Sequence, residues 1–211
     1  MAMSGLLILG AGGHAKVLAD TALAAGLARN IAFLDDKPIP SLLDWPVLGA
    51  LSRCQEGALV QRWPQAAVAI GHAATRLAWL DRLQSVGYQL PVVVHPSVVI
   101  SPRAQLGPGS VVFAGAVVQA DAQLGRGVIL NSACSVDHDS RLGAGVHICP
   151  GAHIAGEVEI GDRSWIGIGA SVIQQIRIGA DVIVGAGAAV VSDLPDGVTA
   201  VGVPARVRAL V

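Results

Sequence analysis

The sequence predicts a two-part chain: a small α/β domain with a Rossmann-like glycine loop over residues 1–94, then a parallel β-solenoid over residues 95–211. Three observations predict it. From Val94 to Val190 every sixth residue is Val, Leu or Ile, without a break. Ahead of that run, short apolar stretches alternate with Ala/Leu-rich helical ones and are punctuated by glycine. Finally, 53% of the 211 residues are hydrophobic and only 14% charged, yet the longest uncharged runs, such as Ala104 to Ala120, carry Gly and Pro and keep the period of six. They do not read as membrane spans.

In the α/β part, Gly5 to Leu9 reads as a strand, the loop Gly10-Ala-Gly-Gly-His-Ala15 follows, and Lys16 to Ala25 reads as a helix closed by Gly26. Ile31 to Leu34 is a second strand ending in Asp35-Asp36. Residues 41–65 are weakly patterned, with a helix near Ser52 to Arg62. Ala66 to Ile70 is a third strand, followed by Gly71, a helix from Thr75 to Val86 and the closing Gly87. Leu90 to Val94 leads into the repeat. Such alternation predicts a parallel sheet. Gly10-x-Gly12-x-x-Ala15 fits a loose dinucleotide fingerprint: glycine lets backbone N–H groups approach an anion, and the helix start adds the positive end of its dipole. A tight turn without ligand remains the alternative. Fewer than 95 residues leave little room for a full dinucleotide-binding reductase.

In the repeat, a period of six is neither the 3.6 of a helix nor the 2 of an ordinary strand; it is a solenoid period. Each hexad supplies one short strand with its aliphatic residue inward. Four residues later comes a mostly small residue, such as Ser110, Ala116, Cys134, Ser140 or Ala170, suited to a cramped corner. Three strands per coil stack residues eighteen apart at about 4.7–4.9 Å. Seventeen hexads then give between five and six coils. So apolar a prism is expected to bury a side against other subunits.

Net charge is −1, which gives no electrostatic footprint for nucleic acid. Cys54, Cys134 and Cys149 have neither metal-like nor redox spacing, which points to reduced thiols in the cytoplasm. The N-terminus shows no signal-peptide pattern. One solenoid segment is unusually polar: Val136-Asp-His-Asp-Ser-Arg141. His138 between two carboxylates has the make-up of a general base near neutral pH, and a solvated surface histidine is the alternative. His147 and His153 lie six apart; a three-histidine zinc site would need another spacing, and no metal is expected.

The hexads resemble those of hexapeptide-repeat, left-handed β-helix proteins. The left hand is implied by that resemblance; general crossover chirality points the other way. The whole chain resembles the bacterial sugar acetyltransferases of the sialic-acid O-acetyltransferase family, and within them the nucleotide-amino-sugar N-acetyltransferases of the bacillosamine and perosamine type. The matching pieces are Gly10-Ala-Gly-Gly-His-Ala-Lys16, Phe33-Leu-Asp-Asp36, Ala69-Ile-Gly71, His95-Pro-Ser97, Asn131-Ser132, Val136-Asp-His-Asp139, Gly161-Asp162 and Gly202-Val-Pro-Ala-Arg206.

That resemblance implies acetyl-CoA as co-substrate, a nucleotide-sugar acceptor and a homotrimer with active sites between subunits. It implies His138 as base and Asp139 as the acid that increases its basicity, where some relatives carry Glu. His147 resembles a residue at the acetyl thioester. Gly156, Ile168 and Ala186 match positions along the CoA path, the last being more often glycine in the family. Gly12, Gly13, His14, Asp35, Asp36 and Gly71 match the nucleotide-sugar pocket, and Asn131 a residue that orients the sugar or its amine. The Asp-Asp pair resembles the uridine-binding versions, so a UDP-4-amino-4,6-dideoxy sugar of surface-glycan biosynthesis is expected rather than a GDP sugar. Two other functions remain open: O-acetylation of sialic acid or a related sugar, and a non-catalytic nucleotide-binding solenoid scaffold.

Overall fold

A computed structural model describes residues 5–208. The first four residues of the predicted α/β domain and the last three of the predicted tail lie outside the described residues. The chain divides into two compact units after Pro96.

The first unit is built on a three-stranded parallel sheet of β1 (Leu6–Leu9), β2 (Ile31–Leu34) and the strand Gln65–Val68. Their order places β1 in the middle, paired Leu6 to Ile31 on one side and Leu6 to Gln65 on the other. All four residues of β1 are fully buried, which explains its unbroken apolar run: a central strand covered on both faces has no polar side. Helix α1 spans Gly13–Ala24 and begins three residues before the predicted Lys16. Gly12 is its N-cap, in an extended conformation, so the end of the glycine loop forms the first helical turn. The weakly patterned stretch holds a two-residue hairpin, β3 (Ser41–Leu42) and β4 (Trp45–Pro46). The single helix predicted there is a 3-10 turn, Leu51–Gln55, and a short α2, Gly57–Arg62. After β5 (Gln65–Val68) comes α3 (Ala73–Val86), whose first turn is capped by His72 Nδ1 accepting from Thr75 N. It ends at Gly87 with φ 103°, a left-handed residue that glycine adopts without a Cβ clash.

The second unit is the predicted parallel β-solenoid. Each hexad gives a two-residue strand, outward residue first and aliphatic residue second, and from Val112 to Val190 every one of those aliphatic residues is buried. Strands eighteen residues apart pair in parallel, Val117 on Val99 and Ser135 on Val117. Three faces result. Face one runs from Val99–Ile100 through Ser135–Val136 and His153–Ile154 to Ala189–Val190. Face two runs from Gln105–Leu106 through Arg141–Leu142 to Arg177–Ile178. Face three includes Val111–Val112, Ile129–Leu130, His147–Ile148, Trp165–Ile166 and Ile183–Val184. Thr199–Val201 extends face three, and Arg206–Val207 closes it antiparallel.

Side chains and backbone both lock coil to coil. Ser140 is fully buried; its Oγ donates to Ala155 O (3.0 Å) and accepts from Val158 N (3.3 Å), both in the next coil. Ser110 and Ser164 repeat the pattern. A small hydroxyl in a corner thus satisfies itself and two backbone groups. From Leu106 to Val184, the third residue after each aliphatic one takes positive φ even where it is not glycine, as at Asp121 (59°), Asp139 (58°) and Glu157 (59°). Left-handed backbone costs about 1–2 kcal/mol at such residues. The stacking offsets it: Asp139 N donates to Ala120 O (3.0 Å), and Glu157 N to His138 O (2.9 Å).

Candidate active site

In the first unit, three loops leave the carboxyl end of the sheet. They follow β1 (from Gly10), β2 (from Asp35) and β5 (from Ala69). The strand order puts a topological switch point between β1 and β5, where α/β sheets of this kind bind ligands. Gly10 has φ 99°, and a Cβ there would lie 3.0 Å from Ala69 O, so the first and third loops approach closely only because it is glycine. Asp35 ties the first loop to the second: Oδ2 accepts from Ala11 N (2.7 Å) and Oδ1 from Lys37 N (2.8 Å). Asp36 Oδ1 accepts from Leu51 N (3.0 Å). Both carboxylates therefore shape the loops themselves, a role their place in the motif did not reveal.

Gly12, Gly13 and Gly71 face open space: beyond their chain neighbours and, for Gly13, the backbone of its own helix, no described atom lies within 4 Å of where a Cβ would be. The start of α1 carries no side-chain cap and no acidic residue in its first turn; the Asp35 carboxylate on Ala11 N lies one residue ahead of its cap. His14 lies largely inside the unit; burial, and then the charge of Arg76, push its pKa down to about 4. It is neutral at pH 7. Arg76 was missed in the sequence because an arginine on a helix reads as a solvated face. It is 1% exposed, and its Nη1 donates to Ile70 O (2.9 Å) and Gly71 O (2.7 Å), fixing the third loop.

In the solenoid, the predicted residues occupy two different corners. His138 and Asp139 are the turn between faces one and two. His138 Nδ1 lies 2.8 Å from Asp139 Oδ2, so Nδ1–H donates to the carboxylate and Nε2 is left to accept a proton. The backbone N–H of His138 donates to Asp137 Oδ1 (2.8 Å), which holds the turn. The hydrogen bond to Asp139 is the main cause that raises the His138 pKa; Asp137 and Glu157 add to it, and partial desolvation opposes it. Gly156 stands in the next coil directly against the imidazole. A hollow of about 540 Å³ opens beside the turn, lined by Asp139, Glu157, Glu159, Gln175 and Arg177.

The corner between faces three and one carries Asn131, Ile168 and Ala186, with His147 on the adjoining strand of face three. Ser132 N donates to Asn131 Oδ1 (2.9 Å), which turns the amide so that Nδ2 donates to His147 Nε2 (3.3 Å). That bond requires the His147 tautomer with its proton on Nδ1. Trp165, one coil on, meets His147 edge to face at 6.3 Å between ring centres. Ile168 is 57% exposed and stacks under the turn of Ala186, where Gly187 N donates to Ile168 O (2.8 Å). Within one chain, face one separates this corner from His138.

The larger hollow, about 980 Å³, runs along face two over Gln123, Arg141, Glu159 and Arg177 and holds none of the predicted site residues. Cys134 and Cys149 are buried among aliphatic residues, and desolvation pushes each thiol up to about 12, so they act as packing groups. Among the described residues, no three His, Cys, Asp or Glu side chains gather as a metal site, and no helix is long and apolar enough to cross a membrane.

Residues 5–83 match the PglD N-terminal domain family. No curated protein matches the chain. Among solved structures, the acetyltransferase domain of PglB from Neisseria gonorrhoeae FA1090 is 44% identical, with a TM-score of 0.94 over 97% of this chain and 99% of that one. The same domain has been solved in complex with acetyl coenzyme A. PerB from Caulobacter crescentus, in complex with CoA and GDP-perosamine, is 41% identical, with a TM-score of 0.92 over 99% of both chains.

Proposed function

Because the chain belongs to the family of the PglB acetyltransferase domain and the perosamine N-acetyltransferase PerB, we propose that it transfers the acetyl group of acetyl-CoA to the amine of a nucleotide-linked amino sugar. The observation that carries the reading is the His138–Asp139 pair. The amine, once it has given one proton to solvent, bonds the acetyl carbon and gives a second to His138 Nε2, while Asp139 holds Nδ1 and stabilises the imidazolium; the C–S bond then breaks and CoA leaves as a thiolate that takes up the proton from His138. Holding amine and thioester together supplies much of the remaining advantage. The negative charges around the pair, Asp137, Asp139 and Glu157, suit an acceptor that arrives as an ammonium ion, which supports N- over O-acetylation.

The two units divide the substrate in this reading. Gly12, Gly13 and the start of α1 hold the diphosphate, Gly71 and His14 border it, and Asp35 and Asp36 meet the nucleoside. His147, Gly156, Ile168 and Ala186 line the acetyl-CoA path, and Asn131 orients the sugar. The separation of the His138 corner from the Ile168–Ala186 corner within one chain supports a homotrimer in which adjacent subunits complete each site. Light scattering should show three chains per particle at micromolar concentration; a monomer rejects the shared site.

The sugar is proposed to be a UDP-4-amino-4,6-dideoxy hexose. Acetyl-CoA consumption against UDP- and GDP-linked 4-amino sugars, matched 4-hydroxy sugars and free sialic acid tests both levels. Turnover of the UDP amine is expected to be fastest. A GDP preference overturns the nucleotide, acetylation of sialic acid overturns the amine, and binding without any transfer points to the scaffold.

A further inference from the structure

We propose that Gly156 is a positioning residue for the base, its missing side chain being what allows the His138 imidazole to rest against the next coil with Nδ1 on Asp139. This rests on the reading of His138 as the base. Gly156 follows His138 by eighteen residues, in the corner column Pro102, Ala120, His138, Gly156 and Gln174. It is the one glycine among these five, and its φ is not left-handed, so the backbone gives no reason for it. The reason is space. A Cβ at residue 156 would stand 2.6 Å from both Cε1 and Nε2 of His138 and 3.1 Å from Cδ2.

The backbone of Gly156 is not free to withdraw, because its carbonyl accepts from Gln175 N (3.0 Å) in the coil above. The ring must therefore yield. Its side chain is 54% exposed, so it can swing outward at little loss of fold stability, and the swing carries Nδ1 off Asp139. A methyl group at this position removes the base while leaving the solenoid in place. The charges that face the ring are Asp137 and Asp139 of its own turn and Glu157 of the turn above; Asp121 below is held by Arg103, and Glu159 by Arg177. Of these, only Asp139 gives the ring a side-chain hydrogen bond, so the swing should be read in the ring's titration.

The test is an NMR titration of the His138 ring in the free protein for wild type, Gly156→Ala, Asp139→Asn and the double variant, with melting temperature and kcat alongside. Gly156→Ala should melt like wild type and lose about 10- to 100-fold in kcat, part of what a general base contributes. Its ring pKa should fall toward the ordinary value of about 6.5, and the acidic limb of kcat/KM should move to lower pH with it. Asp139→Asn should lower the ring pKa as well, and the double variant no further than the lower of the two. An unchanged titration in Gly156→Ala, or shifts that add in the double variant, overturns the proposal. If Gly156→Ala melts early, it is repeated on His138→Ala: loss of the effect there supports the clash with the ring, and persistence overturns it. Wild-type turnover by His138→Ala would sink the base reading instead and leave the ring titration to be judged separately.

Discussion

The two units use glycine for opposite ends. At the carboxyl end of the three-stranded sheet, a methyl group on Gly71 would meet no described atom within 4 Å beyond its chain neighbours. In the solenoid, a methyl group on Gly107, Gly125 or Gly161 would lie 2.5–2.7 Å from the backbone of the next coil. The first kind leaves the loop's backbone uncovered by a side chain. The second kind lets one coil lie on another, and everything mounted on the corners inherits that spacing. In the proposed function, a binding surface made of backbone and a reactive surface made of side chains would thus place different demands on the same residue type.

If the units divide the labour as proposed, the largest effect should fall on chemistry and spare nucleotide-sugar binding. His138→Ala is expected to lower kcat by about 10²–10⁴-fold, with nucleotide-sugar affinity measured by calorimetry close to wild type. A parallel loss of affinity would erase the division. His138→Asn sharpens it: near-wild-type kcat at neutral pH would mean that the ring only positions an amine that arrives neutral.

Stability should separate the two kinds of glycine. Gly161→Ala presses a methyl group onto the backbone of Ala180, which cannot move aside as a side chain can. A loss of about 3 kcal/mol, at the upper end of ordinary overpacking, is expected in urea unfolding. Gly71→Ala should leave stability unchanged or raise it by up to about 1 kcal/mol through the unfolded chain, while raising the nucleotide-sugar KM. Equal stability losses in both would show that the sheet's loops are as tightly packed as the coils.

The smallest effect is expected at Asp36. Asp36→Ala should raise the nucleotide-sugar KM several-fold, corresponding to about 1 kcal/mol for one lost hydrogen bond, and the acetyl-CoA KM less. Equal changes in both would assign Asp36 to loop structure through its bond to Leu51 N alone.

Much of the solenoid was legible because one constraint repeats. An aliphatic residue must enter the prism once per face, so Val136, Leu142 and Ile148 announce three strands without reference to any neighbour. The left-handed turn positions were not legible, because the stacking hydrogen bonds allow Asp139, Glu157 and Arg163 where glycine alone would have been expected. The start of α1 is not legible either: glycine discourages a helix by propensity, yet Gly13 is the first residue of α1. The contact of Gly156 with His138 joins residues eighteen apart, and the burial of Arg76 comes from tertiary packing around its helix, neither of which a local pattern carries. His138 and Asp139 stood out because polar residues are scarce on so apolar a repeat. That Asp35 ties the first loop to the second rests on a bond across twenty-four residues, outside any local motif.

The eighteen-residue register makes the chain a ruler as well as a scaffold. Removing or duplicating eighteen residues between two coils would slide everything beyond the cut along the axis by one strand spacing, about 4.8 Å, with no change of heading. Removing six would turn everything beyond by a third of a revolution. The Asp-His-Asp turn can therefore be moved along its corner, or sent to another corner, by choosing between these two lengths.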